Sequence, residues 1–166
     1  MDTWLAVASR REVREYADRP IPDEVVATIL DAGRLAGSAQ NRQPWRFLLI
    51  DGEPRERLAE AVYVPSNLLG AQLVVAIAGQ GGLDVGRAAQ NMMLVAWNEG
   101  VGSCPNGIKD PDAAHAALGL GADDQIAVVL TFGYPAKERD PFRRTPEEWS
   151  ARADRKPLDE LVERIG

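Results

Sequence analysis

Three arginines cluster near the start of the chain, at Arg10, Arg11 and Arg14, where a first helix is predicted to end. Guanidinium groups bind phosphate through paired, charge-assisted hydrogen bonds, so at least two of these side chains could converge on one anion. A basic cluster near a terminus is also typical of a solvated surface. The sequence by itself leaves both interpretations open.

A second polar stretch runs from Gly37 to Trp45 and leads from a helix into a strand. Its hydroxyl, amide and backbone groups, among them Ser38, Asn41 and Gln43, could bind the edge of a heteroaromatic ring. The alternative is an amide-rich turn that caps the preceding helix, with Trp45 simply buried.

A third stretch, residues 100–107, is predicted to be a loop rich in turn-forming residues that follows a long helix. Small side chains leave its backbone amides open to a flat ligand, although an ordinary connection between helices would look the same. Cys104 is the single cysteine of the chain and His115 the single histidine. Because no histidine lies near Cys104 in the sequence, we do not predict a catalytic thiol.

Composition excludes several other classes of function. The net charge of −6 and the pI of about 4.9 argue against a nucleic-acid or anionic-membrane binder. One cysteine and one histidine cannot form an internal disulfide or an ordinary Cys/His zinc site. No Walker-type glycine loop and no acid–base pair of carboxylates stands out. Without a signal peptide or a long apolar run, we expect a cytoplasmic protein.

The elements that position these residues are predicted from hydrophobic periodicity and turn signals. Helices are expected at 2–9, 22–35, 54–61, 84–98 and 110–118, and strands at 46–50, 73–78 and 126–132. Residues 136–154 are predicted to be an irregular excursion, and residues 158–165 a terminal helix or a strand-forming tail. Helices and strands do not alternate regularly enough for a doubly wound parallel sheet, so the prediction is one α+β domain over residues 1–166.

Taken in order, these motifs resemble the FMN-dependent nitroreductase family over nearly the whole chain. Residues 9–16 are similar to the family's opening Arg-Arg-Ser-x-Arg-x-Phe/Tyr, and residues 36–47 to its Ala-Pro-Ser-x-x-Asn-x-Gln-Pro-Trp-x-Phe signature. Residues 84–94 resemble its central dimer-interface helix, and residues 100–104 the continuation of that helix. The Arg155-Lys156-Pro157-Leu158 stretch resembles its basic-Pro-Leu tail.

The resemblance implies a mostly antiparallel central sheet flanked by helices, and a homodimer that holds FMN between its subunits. It assigns the arginines to the flavin phosphate and pyrimidine edge, and it places the backbone of Asn106 and Gly107 close to flavin N5. No side chain is assigned a catalytic role. The implied cofactor ligands are Arg10, Arg11, Arg14, Gly37, Ser38, Asn41, Gln43, Cys104, Pro105, Asn106, Gly107 and Arg155.

The implied activity is a ping-pong oxidoreductase that transfers hydride from NAD(P)H through the flavin to a nitroaromatic, quinone or enone acceptor. Dehalogenation, dehydrogenation or flavin breakdown on the same fold are alternatives, as is a non-enzymatic flavin-like ligand-binding protein. Two departures from the pattern stand out: Glu12 replaces a serine and Gly37 replaces a proline. A carboxylate repels a phosphate unless it pairs with an arginine or points away.

Overall fold

The computed structural model describes residues 1–79, 82–121 and 123–165. The chain packs as two compact units. We call residues 11–139 the core unit, and residues 1–10 together with 140–165 the terminal unit. Of the candidate site residues, Arg10 and Arg155 therefore belong to the terminal unit, and the others belong to the core unit.

A four-stranded antiparallel sheet forms the centre of the core unit in the described residues. Its strands are β1 (Arg46–Leu49), β2 (Leu73–Ala78), β3 (Gly102–Asn106) and β4 (Ile126–Gly133), in the spatial order β1-β2-β4-β3. Because β2 lies inside the sheet with helices on both faces, all six of its residues are buried. This burial explains its unbroken apolar sequence.

Helices cover both faces of this sheet. They are α2 (Asp23–Arg34), α3 (Gly52–Glu60), α4 (Pro65–Gly70), α5 (Leu83–Asn98) and α6 (Pro111–Leu118), numbered after α1 in the terminal unit. Side chains alternate between the two faces along a strand. Accordingly Val75 and Ile77 of β2 join the cluster under α2 and α5, whereas Val74 and Ala76 join the cluster under α3, α4 and α6.

The long helix α5 supplies much of the first cluster. Its residues Ala88, Met92 and Ala96 recur at helical spacing and have no exposed surface. Burying a side chain as large as Met92 contributes about 1.5–3 kcal/mol. The predicted α+β class and the buried central helix are thus confirmed, and so are strand β2 and helices α2 and α6 to within one or two residues.

The prediction of a loop at residues 100–107 is wrong for most of its length, because Gly102–Asn106 forms strand β3. Gly, Ser, Pro and Asn have low strand propensity, so sequence periodicity gave no signal. Pairing with β4 over five residues overrides that propensity. Pro105 is compatible with the strand because β3 lies at the edge of the sheet, where a missing N–H is tolerated.

Helix α4 was not predicted from the sequence. It spans only six residues and begins with Pro65 at its first helical position. A segment this short shows too few apolar repeats to be recognised by periodicity. It matters because it carries Asn67, a buried residue of the candidate site.

The terminal unit contains α1 (Thr3–Ser9), a 3₁₀ turn at Pro141–Arg143, α7 (Pro146–Ala151) and a second 3₁₀ turn at Leu158–Glu160. The expected irregular excursion at 136–154 is therefore partly wrong, since it contains a helix. Thr145 and Glu148 form a reciprocal capping box, with bonds of 2.8 and 3.3 Å. The Thr-Pro-Glu-Glu sequence carried that signal.

The expectation of a helix or strand at 158–165 is also wrong. Beyond the 3₁₀ turn, residues 161–165 adopt no regular structure. Leu158, Leu161, Val162 and Ile165 are each more than half exposed. Their apolar surfaces are uncovered in the single chain, so no packing stabilises a regular element there.

Among the described residues, no helix is both long and apolar enough to cross a membrane.

Candidate functional site

The candidate site is built where the extended segment 11–17 crosses the edge of the sheet. The N–H of Val13 donates to the carbonyl of Ser103 (3.0 Å), and Glu12 bridges to Ser103 in parallel orientation. Gly102 and Gly133 lie opposite one another in the β3–β4 ladder. A Cβ on Gly102 would overlap the side chain of Val13. The paired glycines therefore let the segment lie directly on the sheet backbone.

A similar contact recurs three residues further along the segment, at Tyr16. A Cβ on Gly133 would stand 2.7 Å from Cδ1 of Tyr16, closer than carbon atoms can approach without displacement. Tyr16 thus lies flat on β4, and Ala17 and Ala136 extend the pairing through bonds to Tyr134 and Glu15 of 2.8 and 2.9 Å. The backbone of segment 11–17 is fixed from both sides.

A buried polar network connects this segment to β3 and β4. The phenol of Tyr16 donates to the carbonyl of Val13 (2.6 Å) and lies 2.9 Å from Oγ1 of Thr131. Thr131 Oγ1 in turn donates to the carbonyl of Cys104 (3.2 Å). Burial raises the pKa of Tyr16 well above its ordinary value of about 10. The phenol therefore serves as a neutral hydrogen-bond donor.

Asn106 extends the network to helix α4. Its amide nitrogen donates to the carbonyl of Cys104 (3.0 Å), and its amide oxygen accepts from Nδ2 of Asn67 (2.9 Å). Both side chains are buried. The side chain of Asn106 is thus committed to the protein interior, which leaves only its backbone for a ligand.

Cys104 lies between two oppositely charged side chains. Burial raises the pKa of the Cys104 thiol; the guanidinium of Arg14 opposes this rise and the carboxylate of Glu12 adds to it. The thiol donates to the carbonyl of Pro105 (3.3 Å). A buried thiol with a raised pKa is a poor nucleophile.

The loop between α2 and β1 is held in an unusual backbone conformation. Gln40, Asn41 and Gln43 all have positive φ angles, of 54°, 55° and 49°. Such conformations are uncommon for residues other than glycine and persist only where surrounding structure enforces them. Part of that enforcement is local, because Oγ of Ser38 accepts from the N–H of Gln43 (2.9 Å).

Helix α5 and strand β2 fix the rest of this loop. The carboxylate of Asp84 accepts from the N–H of Ala39 (3.0 Å). The carbonyl of Pro44 lies so close to Gly79, whose φ is 149°, that no side chain could stand there. The polar loop is therefore anchored to the core unit at both of its ends.

Gly37 faces the side chain of Arg87 on α5. The guanidinium occupies the space that a Cβ on Gly37 would take, and it lies 3.9 Å from the carboxylate of Asp84. The family's proline at this position would displace Arg87. The departure from the pattern at Gly37 thus has a local steric reason in this chain.

The predicted site residues divide between the two units. Arg10 is the C-terminal cap of α1 and Arg155 is exposed beyond α7, so both belong to the terminal unit. The others belong to the core unit, where Arg14 and Cys104 are brought together. Ser38 and Gln43 are brought together within the polar loop, and Gly107 is exposed immediately after β3.

Sequence reasoning missed several residues that build the site. The buried amide of Asn67 and the hydroxyl of Thr131 gave no signal, because neither belongs to a recognisable polar motif. Tyr63 was also missed: it is 70% exposed, its N–H donates to the carbonyl of Gly107 (3.1 Å), and its ring packs against that glycine. A lone tyrosine carries no pattern that would have identified it.

This arrangement is the nitroreductase fold, since solved nitroreductases superpose on nearly the whole chain. One from Desulfovibrio desulfuricans, solved in complex with FMN, has a TM-score of 0.84 and 27% identity and covers 100% of this chain and 98% of its own. The model of the nitroreductase family matches residues 7–80 and 81–134. The chain belongs to the nitroreductase family and is an oxidoreductase.

Two relatives agree with this assignment. A protein of Archaeoglobus fulgidus, whose name places it among NADH dehydrogenases and NAD(P)H nitroreductases, is 33% identical over 149 residues, or 81% of this chain and 86% of that protein. The NADH dehydrogenase of Thermus thermophilus is 26% identical over 192 residues, or 89% of this chain and 94% of that enzyme. The predicted family is confirmed.

Proposed function

We propose that this protein is an FMN-dependent oxidoreductase that transfers hydride from NAD(P)H to a small organic acceptor in a ping-pong cycle. The observation that carries the proposal is the crossing of segment 11–17 over β3. It sets the guanidinium of Arg14 against Cys104, at the strand whose last residues are the candidates for the flavin ring. The FMN complex of the Desulfovibrio relative and the names of the other relatives support the cofactor and the electron donor.

The residues present fit FMN. A flavin phosphate needs cations, and the proposed ligands are Arg10, Arg11, Arg14 and Arg155, with Arg14 also reaching the pyrimidine edge. The ring and ribityl chain need hydrogen-bond partners beside an accessible backbone. The proposal assigns these contacts to Gly37, Ser38, Asn41, Gln43, Cys104, Pro105, Asn106 and Gly107.

Glu12 is compatible with this assignment. Its backbone bridges to Ser103 of β3, and its carboxylate lies close enough to the buried thiol of Cys104 to raise the pKa of that thiol. A carboxylate held in this way, beside the guanidinium of Arg14, repels a nearby phosphate less than a free one. The serine-to-glutamate departure therefore does not exclude the cofactor.

When bound, FMN would supply the ring nitrogen that accepts and donates hydride. The chain's own groups would position the flavin and polarise its ring. A backbone N–H from Asn106 or Gly107 would stabilise negative charge developing near that nitrogen. The phenol of Tyr16 is neutral, and burial raises the pKa of the Cys104 thiol, in agreement with chemistry carried by the cofactor.

The active form in this proposal is a homodimer with the flavin at the subunit interface. Helix α5 supports it, because Leu83, Gly86, Arg87 and Gln90 form an exposed stripe at helical spacing on the side facing away from the core. Leu83 is 79% exposed. Exposed apolar side chains on both units, such as Trp4 and Leu69, are the surfaces that a second copy would cover.

The absorption spectrum of the purified protein tests this proposal first, followed by identification of any chromophore released on denaturation. The expected result is one FMN per chain, bleached anaerobically by NADH or NADPH and restored by a nitroaromatic, quinone or enone. A protein that binds neither FMN nor riboflavin contradicts the proposal. Bound FMN that neither nucleotide bleaches would favour dehalogenation, dehydrogenation or flavin breakdown instead.

A further inference from the structure

A cavity of about 370 Å³ lies between segment 12–15 and the residues that follow β4. Three cationic side chains line it, those of Arg14, Lys137 and Arg139, together with the carboxylates of Glu12 and Glu15. All of them belong to the core unit. The cavity therefore has an excess of positive charge in a protein whose net charge is −6.

Backbone pairing brings together the two segments that carry these cations. Tyr16 and Pro135 form an antiparallel bridge, and the N–H of Ala136 donates to the carbonyl of Glu15 (2.9 Å). The chain then bends at residues 136–137. Lys137 and Arg139 line the same cavity as Arg14.

Like charges that line one cavity repel one another unless an anion lies between them. Lys137 and Arg139 are exposed and make no hydrogen bond or ion pair with any residue in the parts of the chain that the structure describes. Two carboxylates, those of Glu12 and Glu15, line the cavity beside the three cations. The charge of the cationic group is therefore incompletely compensated.

We propose that Lys137 and Arg139 join Arg14 in binding a phosphate monoester in this cavity. A phosphate dianion matches a group of three cations and accepts several charge-assisted hydrogen bonds. The inference rests on the proposed function, which supplies two such phosphates: the 5′-phosphate of FMN and the 2′-phosphate of NADPH. It assigns a role to the first residues of segment 136–154, for which the sequence indicated none.

The test compares ligands that differ only in the phosphate. Flavin-stripped wild-type protein and the Lys137→Ala/Arg139→Ala double variant are titrated with FMN and with riboflavin, and the flavin-loaded forms are assayed with NADPH and NADH. Arg46→Ala/Arg57→Ala is the matched control, because it removes two exposed cations that lie elsewhere on the core unit and pair with Asp124 and Glu53.

If the cavity binds the FMN phosphate, the double variant should weaken FMN binding by about tenfold to a hundredfold and leave riboflavin binding unchanged. If it binds the phosphate of NADPH, kcat/KM should fall by a similar factor for NADPH but not for NADH. The control should show neither effect. The inference is overturned if the double variant prefers FMN over riboflavin, and NADPH over NADH, by the same factors as the wild type.

Binding of inorganic phosphate, measured by calorimetry, separates this inference from the proposed function. Should the protein bind no flavin, the proposed function fails, yet phosphate binding that the double variant weakens would still support the site. The inference is also overturned if the wild-type protein binds no phosphate and prefers neither FMN over riboflavin nor NADPH over NADH. Both substituted residues are exposed, so the variants should keep the thermal midpoint of the wild type.

Discussion

Tyr16 illustrates how one polar side chain can fix a functional segment. Its phenol is buried against β4 and bonds to the carbonyl of Val13 and to Thr131, which ties segment 11–17 to the sheet. Because burial raises its pKa, the folded protein binds this proton more tightly than the unfolded chain. The contribution of Tyr16 to stability is complete below about pH 10 and is lost as the pH rises above that value.

Tyr16→Phe tests this contribution. The difference in the free energy of unfolding between wild type and variant should be constant up to about pH 9, at about 1–2 kcal/mol, and shrink at higher pH by at most about 1.4 kcal/mol per unit. Urea denaturation across this range measures it. Tyr63→Phe is the control, since that ring is 70% exposed. A difference that stays constant to pH 11 would show that Tyr16 ionises normally.

Asn106 carries the second prediction at the scale of residues. Its amide bonds to Asn67 and to the carbonyl of Cys104 inside the protein. Asn106→Ala leaves the buried amide of Asn67 without this acceptor and removes one of the donors to the carbonyl of Cys104, which keeps the hydroxyl of Thr131. The free energy of unfolding should therefore fall by about 1–3 kcal/mol. Gln90→Ala on the exposed side of α5 should change it by less than about 0.5 kcal/mol. Equal effects in the two variants would contradict the network.

At the scale of elements, the glycine pair of β3 and β4 decides where segment 11–17 lies. Gly102→Ala should push Val13 away from the strand and destabilise the fold by about 1–3 kcal/mol. Because Val13 and Arg14 are adjacent, FMN affinity should fall as well. Gly70→Ala, at a glycine with nothing within 4 Å of a Cβ, should leave both quantities nearly unchanged. An alanine accepted at Gly102 with no loss of FMN binding contradicts the close contact.

The polar loop between α2 and β1 depends on helix α5 in the same way. Asp84→Ala removes the acceptor for the N–H of Ala39, so the loop should lose its anchor and its strained backbone should relax. Limited proteolysis should then cut at residues 38–43 faster than in the wild type. Asp112→Ala, on α6, provides a control for the loss of one carboxylate. Unchanged proteolysis would show that the loop holds its conformation without Asp84.

At the scale of the whole molecule, exposed apolar surface points to a second copy of the chain. Leu83 on α5, and Leu158, Leu161 and Ile165 in the terminal unit, are each more than 60% exposed. A monomer would leave these side chains in water, which favours association. Sedimentation equilibrium should therefore give twice the chain mass, and the thermal midpoint should rise with protein concentration.

Leu83→Ser should weaken this association and, under the proposed interface site, lower FMN affinity with it. Phe142→Ser, at another exposed apolar residue, serves as the comparison. A chain that sediments as a monomer and still binds one FMN would contradict the interface site but leave the oxidoreductase proposal standing.

The sequence by itself determined the family, the α+β class and most helices, because helical periodicity and continuous apolar strands are local patterns. It also predicted which polar stretches could contact a flavin. The order of motifs was informative because the family fixes that order along the chain. Residues such as Arg14 and Ser38 were proposed as flavin ligands on that basis alone.

Only the tertiary structure decided how these stretches meet. Strand β3 exists because β4 pairs with weak strand formers, and Asn106 points inward because Asn67 lies on a six-residue helix that the sequence did not reveal. Arg14, Lys137 and Arg139 line one cavity through pairing between residues more than 100 positions apart. Such contacts depend on long-range packing free energy, which exceeds local propensity and leaves no periodic trace in the sequence.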